Sequence, residues 1–96
     1  MTSFDELGLT VRTLTPELAK KYEVTAVQGV IVIAVKPTSI SAMAGIREGQ
    51  VVLEVDRKPV HNVAEFKQAI RKSVVDKRVL LLLQNGATQQ YLVLRW

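Results

Sequence analysis

Residues 35–52, which read VKPTSISAMAGIREGQVV, constrain this chain more than any other segment, because they encode a strand end, a short capped helix and the start of a second strand. Pro37 has no N–H to give to a central ladder, so the first strand closes there. Ser39 is placed to cap the helical turn that follows, and Ala42 and Ala44 are small enough for that turn to lie close against a sheet. Gly45 then ends the helix.

The rest of the chain bounds what can surround this unit. Ninety-six residues with 48% apolar content and no low-complexity stretch read as one folded domain. The longest apolar runs, residues 30–35 and 79–83, fall far short of the roughly 20 residues that a membrane helix needs. Residues 1–4 carry no basic region and no apolar run. They read as connecting residues, or as an artificial start where a domain was cut from a longer protein. The absence of cysteine excludes disulfides, thiolate zinc sites and a cysteine nucleophile. A net charge of +4 comes from 13 basic and 9 acidic residues scattered along the chain, densest at Arg71, Lys72, Lys77 and Arg78. No aromatic platform or recognition-helix pattern accompanies that excess, so nucleic acid is not the expected partner.

Leu7, Leu9 and Val11 alternate with Gly8, Thr10 and Arg12, which predicts a strand with one apolar face. Thr15-Pro16-Glu17 is a helix start, giving a short helix over residues 17–22. Residues 30–35 are apolar and β-branched, as in a buried strand, and residues 51–55 form another. Residues 56–59 must then turn the chain before Val60. Asn62 and Glu65 have capping-box spacing, so the longest helix runs from Val63 to about Lys72. Residues 78–84 and 88–95 flank Asn85-Gly86, a hairpin signal, since a primed turn needs positive φ at both central residues.

With residues 55–60 (VDRKPV), the run at 35–52 resembles the core signature of PDZ domains in the form carried by HtrA/Do-type serine proteases. The resemblance covers residues 7–94, in the circularly permuted strand order of the bacterial branch. It implies an α+β fold, a small partly open β-barrel or sandwich of five to six strands with two to three helices, occupying residues 1–96 as a single domain. A second or C-terminal copy within its parent is expected, because the chain finishes on its last strand.

In PDZ domains a loop of the pattern apolar-Gly-apolar receives a peptide's terminal carboxylate on its backbone amides, and the peptide adds as a strand. The matching residues are Leu7-Gly8-Leu9. Inward-turned amides form an anion-binding nest, and glycine allows that shape without a Cβ clash. Leu7, Leu9, Thr10 and Val11 then line one side of the groove. Val63, Lys67 and Ile70 share one face of the long helix and form the opposite wall, while Phe66 is assigned to the core. A peptide with an aliphatic or aromatic last residue suits such a site, with Lys67 attracting an acidic side chain near the peptide's end. Read without the resemblance, Leu7-Gly8-Leu9 is an ordinary strand with a bulge, and the helix is an amphipathic cover with Lys67 in solvent.

Three positions depart from the family pattern. Asp5 and Glu6 put negative charge before the loop, Gln50 stands where aspartate is usual, and Arg57 stands where a turn glycine is usual. The acidic pair favours a second reading, an inter-protomer assembly module with an unused or blocked groove. No cofactor or metal is expected, since His61 is the only histidine and no serine lies in a glycine-flanked nucleophile turn. The resemblance further implies a parent serine endopeptidase whose protease domain is absent here. It also implies a periplasmic or otherwise extracytoplasmic setting, a part in protein quality control with a chaperone-like hold on unfolded polypeptide, and oligomerisation. The purified chain should leave unfolded casein intact. Cleavage that vanishes in a His61→Ala variant would contradict this.

Overall fold

The computed structural model describes residues 2–4, 7–26, 28–86 and 88–95. Asp5 and Glu6, whose charge was weighed above, lie outside these described residues. Strands β1 (Thr2–Phe4), β2 (Leu9–Thr13), β3 (Val30–Val35), β4 (Val51–Val55), β5 (Lys58–Pro59), β6 (Arg78–Asn85) and β7 (Thr88–Arg95) alternate with helices α1 (Pro16–Lys21), α2 (Ile40–Ala44) and α3 (Val63–Val74). All strand pairs are antiparallel, in the sheet order β1-β2-β3-β4-β6-β7, with β5 paired to β4. The expected order of elements is present. It gains β1, from residues read above as connecting chain, and the two-residue β5.

The caps act largely as the spacing predicts. Thr15 Oγ1 accepts from the Leu18 N–H at 3.2 Å, and Ser39 Oγ accepts from the Ala42 N–H at 3.1 Å. Gly45 ends α2 at φ 97°, in the left-handed region that glycine tolerates. At α3, Asn62 Oδ1 accepts from the Glu65 N–H at 2.9 Å. The return bond of the box is shifted by one residue: Glu65 Oε1 accepts from the His61 N–H at 2.7 Å and lies 2.9 Å from His61 Nδ1. The backbone N–H of His61, followed by its ring, holds the Glu65 carboxyl below the usual carboxylate range.

Hydrophobic burial is split between the two faces of the sheet. Leu9, Val11, Val30, Val32, Val52 and Phe66 belong to the main core, which α2 and α3 cover. Ile31 and Val51 point the other way, into a smaller cluster with Leu14 and Leu18. Strand β3 is therefore buried on both faces over Val30, Ile31 and Val32, which accounts for its uninterrupted apolar run.

Three loops show how particular residues replace the expected ones. Asp56 and Arg57 form the two-residue loop between β4 and β5, at φ 51° and 68°. Asp56 recovers the cost, because its carboxylate accepts from the Leu80 N–H at 3.0 Å and from the Ser73 hydroxyl. Buried Gln50 accepts from the Arg47 N–H through Oε1 at 3.2 Å, so an amide oxygen closes the loop where a carboxylate was the usual choice. The last hairpin turns one residue later than the Asn85-Gly86 reading. Asn85 is still paired, opposite Thr88, and Gly86 takes the first loop position at φ 63°. Gln84 holds that tip: its Nε2 donates to Thr25 Oγ1 at 2.7 Å and to the Gly86 carbonyl at 2.9 Å.

Among the described residues Arg57 gains no comparable hydrogen bond that would offset its left-handed backbone, so Arg57→Gly is expected to stabilise the fold by about 0.5–1 kcal/mol. Urea denaturation should show a raised midpoint at unchanged slope.

Candidate peptide-binding site

The loop before β2 is shaped by what it touches. Gly8 has φ 76°, and a Cβ at this position would lie 2.2 Å from the Cβ of Ser39 and 2.6 Å from its Oγ. Only glycine fits this conformation and this space together. The loop's carbonyls are both occupied: Leu7 accepts from the Ser41 N–H at 3.2 Å and Gly8 from the Lys36 N–H at 2.8 Å. No peptide bond among the described residues is cis. In a planar trans unit the N–H points opposite to the carbonyl, so the amides of Gly8 and Leu9 are turned away from residues 36–41. Consecutive amides held in that direction can receive a carboxylate.

Strand β2 carries the other predicted residues. Leu7, Leu9 and Val11 are 1%, 1% and 0% exposed, so they form the core beneath the groove and present no open apolar surface of their own. For Leu9 and Val11 the reason is the strand's alternation, and Leu7, in the turn before β2, packs into the same core. Thr10 is half-buried and Arg12 exposed on the opposite face. One edge of β2 is taken by β3, in a register from Leu9↔Val35 to Thr13↔Val30 that shifts between Thr10 and Val11.

Helix α3 is brought beside β2 as its spacing predicts. Val63 and Ile70 pack in the same cluster as Leu9 and Val11, with Ile70 buried and Val63 partly so. The Val63 N–H donates to Thr13 Oγ1 at 3.0 Å, pinning the first turn of the helix to the end of the strand. Lys67 is exposed between Val63 and Ile70 in sequence, and Phe66 is completely buried, as assigned. The structure thus gathers the loop, the strand and the helix face, with Gly8 and Leu9 buried, Thr10 half-buried and the Lys67 side chain exposed.

The sequence reading missed Lys36, Ser39, Ser41 and Thr13 as supports of this site. Ser39 was visible as a helix cap, but nothing in its spacing shows that it abuts Gly8. A separate hollow of about 350 Å³, lined by Val60, Gln68, Lys72, Ser73 and Asp76 among others, lies between β5 and α3. It includes none of the predicted groove residues.

Comparison with known proteins bears on the family and the fold. The PDZ domain family profile matches residues 31–85. Over 96 residues the chain is 33% identical to a probable DegP-like periplasmic serine endoprotease of Chlamydia trachomatis, covering 99% of this chain and 19% of that protein. It is 35% identical over 82 residues to the periplasmic serine endoprotease DegP of Escherichia coli K12, covering 84% of this chain and 17% of the relative. The chain thus spans about a fifth of the length of the relatives it matches. Among solved structures, the HtrA3 PDZ domain bound to a phage-derived ligand, FGRWV, superposes with a TM-score of 0.76 at 27% identity, over 93% of this chain and 81% of that one. The HtrA-type protease AlgW with a decapeptide shares the fold, with a TM-score of 0.71 at 22% identity, over 93% of this chain and 27% of that one.

Because its Cβ would collide with Ser39, Gly8→Ala should destabilise the domain by about 2–4 kcal/mol. A paired Gly8→Ala/Ser39→Gly variant should recover part of that loss in urea melts. Equal losses with and without the Ser39 change would place the damage elsewhere.

Proposed function

The chain belongs to the PDZ domain family, homologous to the PDZ regions of DegP- and HtrA-type serine proteases, and from that premise we propose that it binds polypeptide C-termini by strand addition at β2. It is the PDZ part of such a protease and not its catalytic domain. The observation that carries the proposal is the fixed direction of the Gly8 and Leu9 amides, imposed by the anchored Leu7 and Gly8 carbonyls. A peptide's terminal carboxylate meets those amides, and its backbone runs antiparallel along the outer edge of β2. Lys67 adds a positive charge beside the route and favours peptides with an acidic residue near the end.

Within a longer HtrA-type protein, this module holds exposed C-termini or unfolded segments and regulates the protease. The periplasmic DegP relatives support an extracytoplasmic setting, and no helix among the described residues is long and apolar enough to cross a membrane. A second reading, assembly between protomers, is favoured by one observation. Tyr91 and Val93 are 56% and 45% exposed, opposite half-buried Leu82 and Leu80, giving the β6–β7 ribbon an apolar outer face.

Fluorescence titration of a hexapeptide ending in valine or phenylalanine separates the two. Amidation of its C-terminus should weaken binding about tenfold or more, since a charge-assisted contact to two amides is removed. Lys67→Glu should reorder preference among peptides that differ in acidic residues, with little change in melting temperature. Equal affinity for free and amidated peptides contradicts the carboxylate role.

A further inference from the structure

The outer edge of β2 is not vacant. Strand β1 lies on it antiparallel, with Phe4 opposite Leu9, Ser3 opposite Thr10 and Thr2 opposite Val11. A C-terminal peptide whose carboxylate meets the amides of Gly8 and Leu9 must also run antiparallel to β2, with its last residue beside Leu9. Residues 2–4 therefore follow the course of the incoming strand, in its direction and in its register. One strand edge has one row of N–H and C=O groups, so both cannot be paired there at once.

From this coincidence we infer that residues 2–4 are a resident occupant of the peptide edge, which a ligand strand must displace. The inference rests on the strand-addition reading above. The occupant is built to be displaced. It pairs over only three residues, against the five register pairs that join β2 to β3. Short strand pairs contribute little stability by themselves. The ligand that replaces it gains the carboxylate contact, which residues 2–4 cannot supply because the chain continues beyond Phe4. The domain thus favours true C-termini over internal apolar segments: an internal segment competes with β1 by strand pairing alone, while a terminus adds an anion. The apparent affinity for any ligand falls by the fraction of molecules in which the edge is open.

The test compares the intact chain, a chain lacking residues 1–4, and a full-length Ser3→Pro/Phe4→Pro variant, titrated with one labelled hexapeptide ending in a free carboxylate. Two adjacent prolines remove both N–H groups, so whichever of them faces β2 is lost, while length and charge stay the same. Circular dichroism confirms that each variant is folded. The deletion and the double proline variant should both bind about fivefold or more tightly than the intact chain, as expected when the edge is closed in most molecules. Equal binding by all three overturns this inference and leaves the peptide-binding reading standing. Tighter binding by the deletion alone overturns it as well, since strand pairing is then not the cause. Absence of binding by all three overturns both.

Discussion

The approach of Gly8 to Ser39 is the contact on which the rest of the site depends. A glycine at positive φ lets the chain turn against the start of α2, and the N–H groups of Lys36 and Ser41 then take the loop's two carbonyls. Peptide planarity converts those two hydrogen bonds into a direction for the amides on the other side. The short helix is itself fixed by Ser39 at one end and Gly45 at the other. A cap residue, a left-handed glycine and a left-handed loop glycine thus set the orientation of donors that no side chain provides.

The groove's floor and wall are core elements first. Leu9, Val11 and Ile70 are buried with Phe66, so what a ligand strand gains on replacing β1 is mainly backbone along β2, flanked by Lys67. Strand addition suits such a surface because main-chain hydrogen bonds supply affinity whatever the ligand's sequence. Selectivity is left to the carboxylate and to charges at the margin, which solvent and salt screen readily.

The elements were legible wherever one residue type has one physical use. Ser39, Gly45, Thr15 and Asn62 marked helix ends correctly, and Pro37 the close of β3, because caps and stops are local chemistry. The turn at Asp56-Arg57 was expected, but its tolerance of arginine depends on hydrogen bonds that the Asp56 carboxylate accepts from Leu80 and Ser73, residues distant in sequence. The final hairpin slipped by one residue for a similar reason, since Gln84 holds the tip through Thr25. Strand β1 could not be read at all: three polar and aromatic residues carry no periodicity, and their pairing follows from an available edge. Within the site, Leu7-Gly8-Leu9 and the Val63, Lys67, Ile70 spacing were visible as a pattern, while their burial and the role of Ser39 required the packed structure.

The central claim is that ligands meet the chain at the Gly8 and Leu9 amides and along β2. Titrating the isotopically labelled chain with a free-carboxylate peptide and following backbone amide shifts by nuclear magnetic resonance tests it most directly. The account predicts the largest changes at Gly8, Leu9 and Thr10, with smaller ones at Lys67 and little movement at residues 88–95. Changes centred on Tyr91 and Val93, with Gly8 and Leu9 unmoved, would contradict it and assign the binding surface to the β6–β7 face.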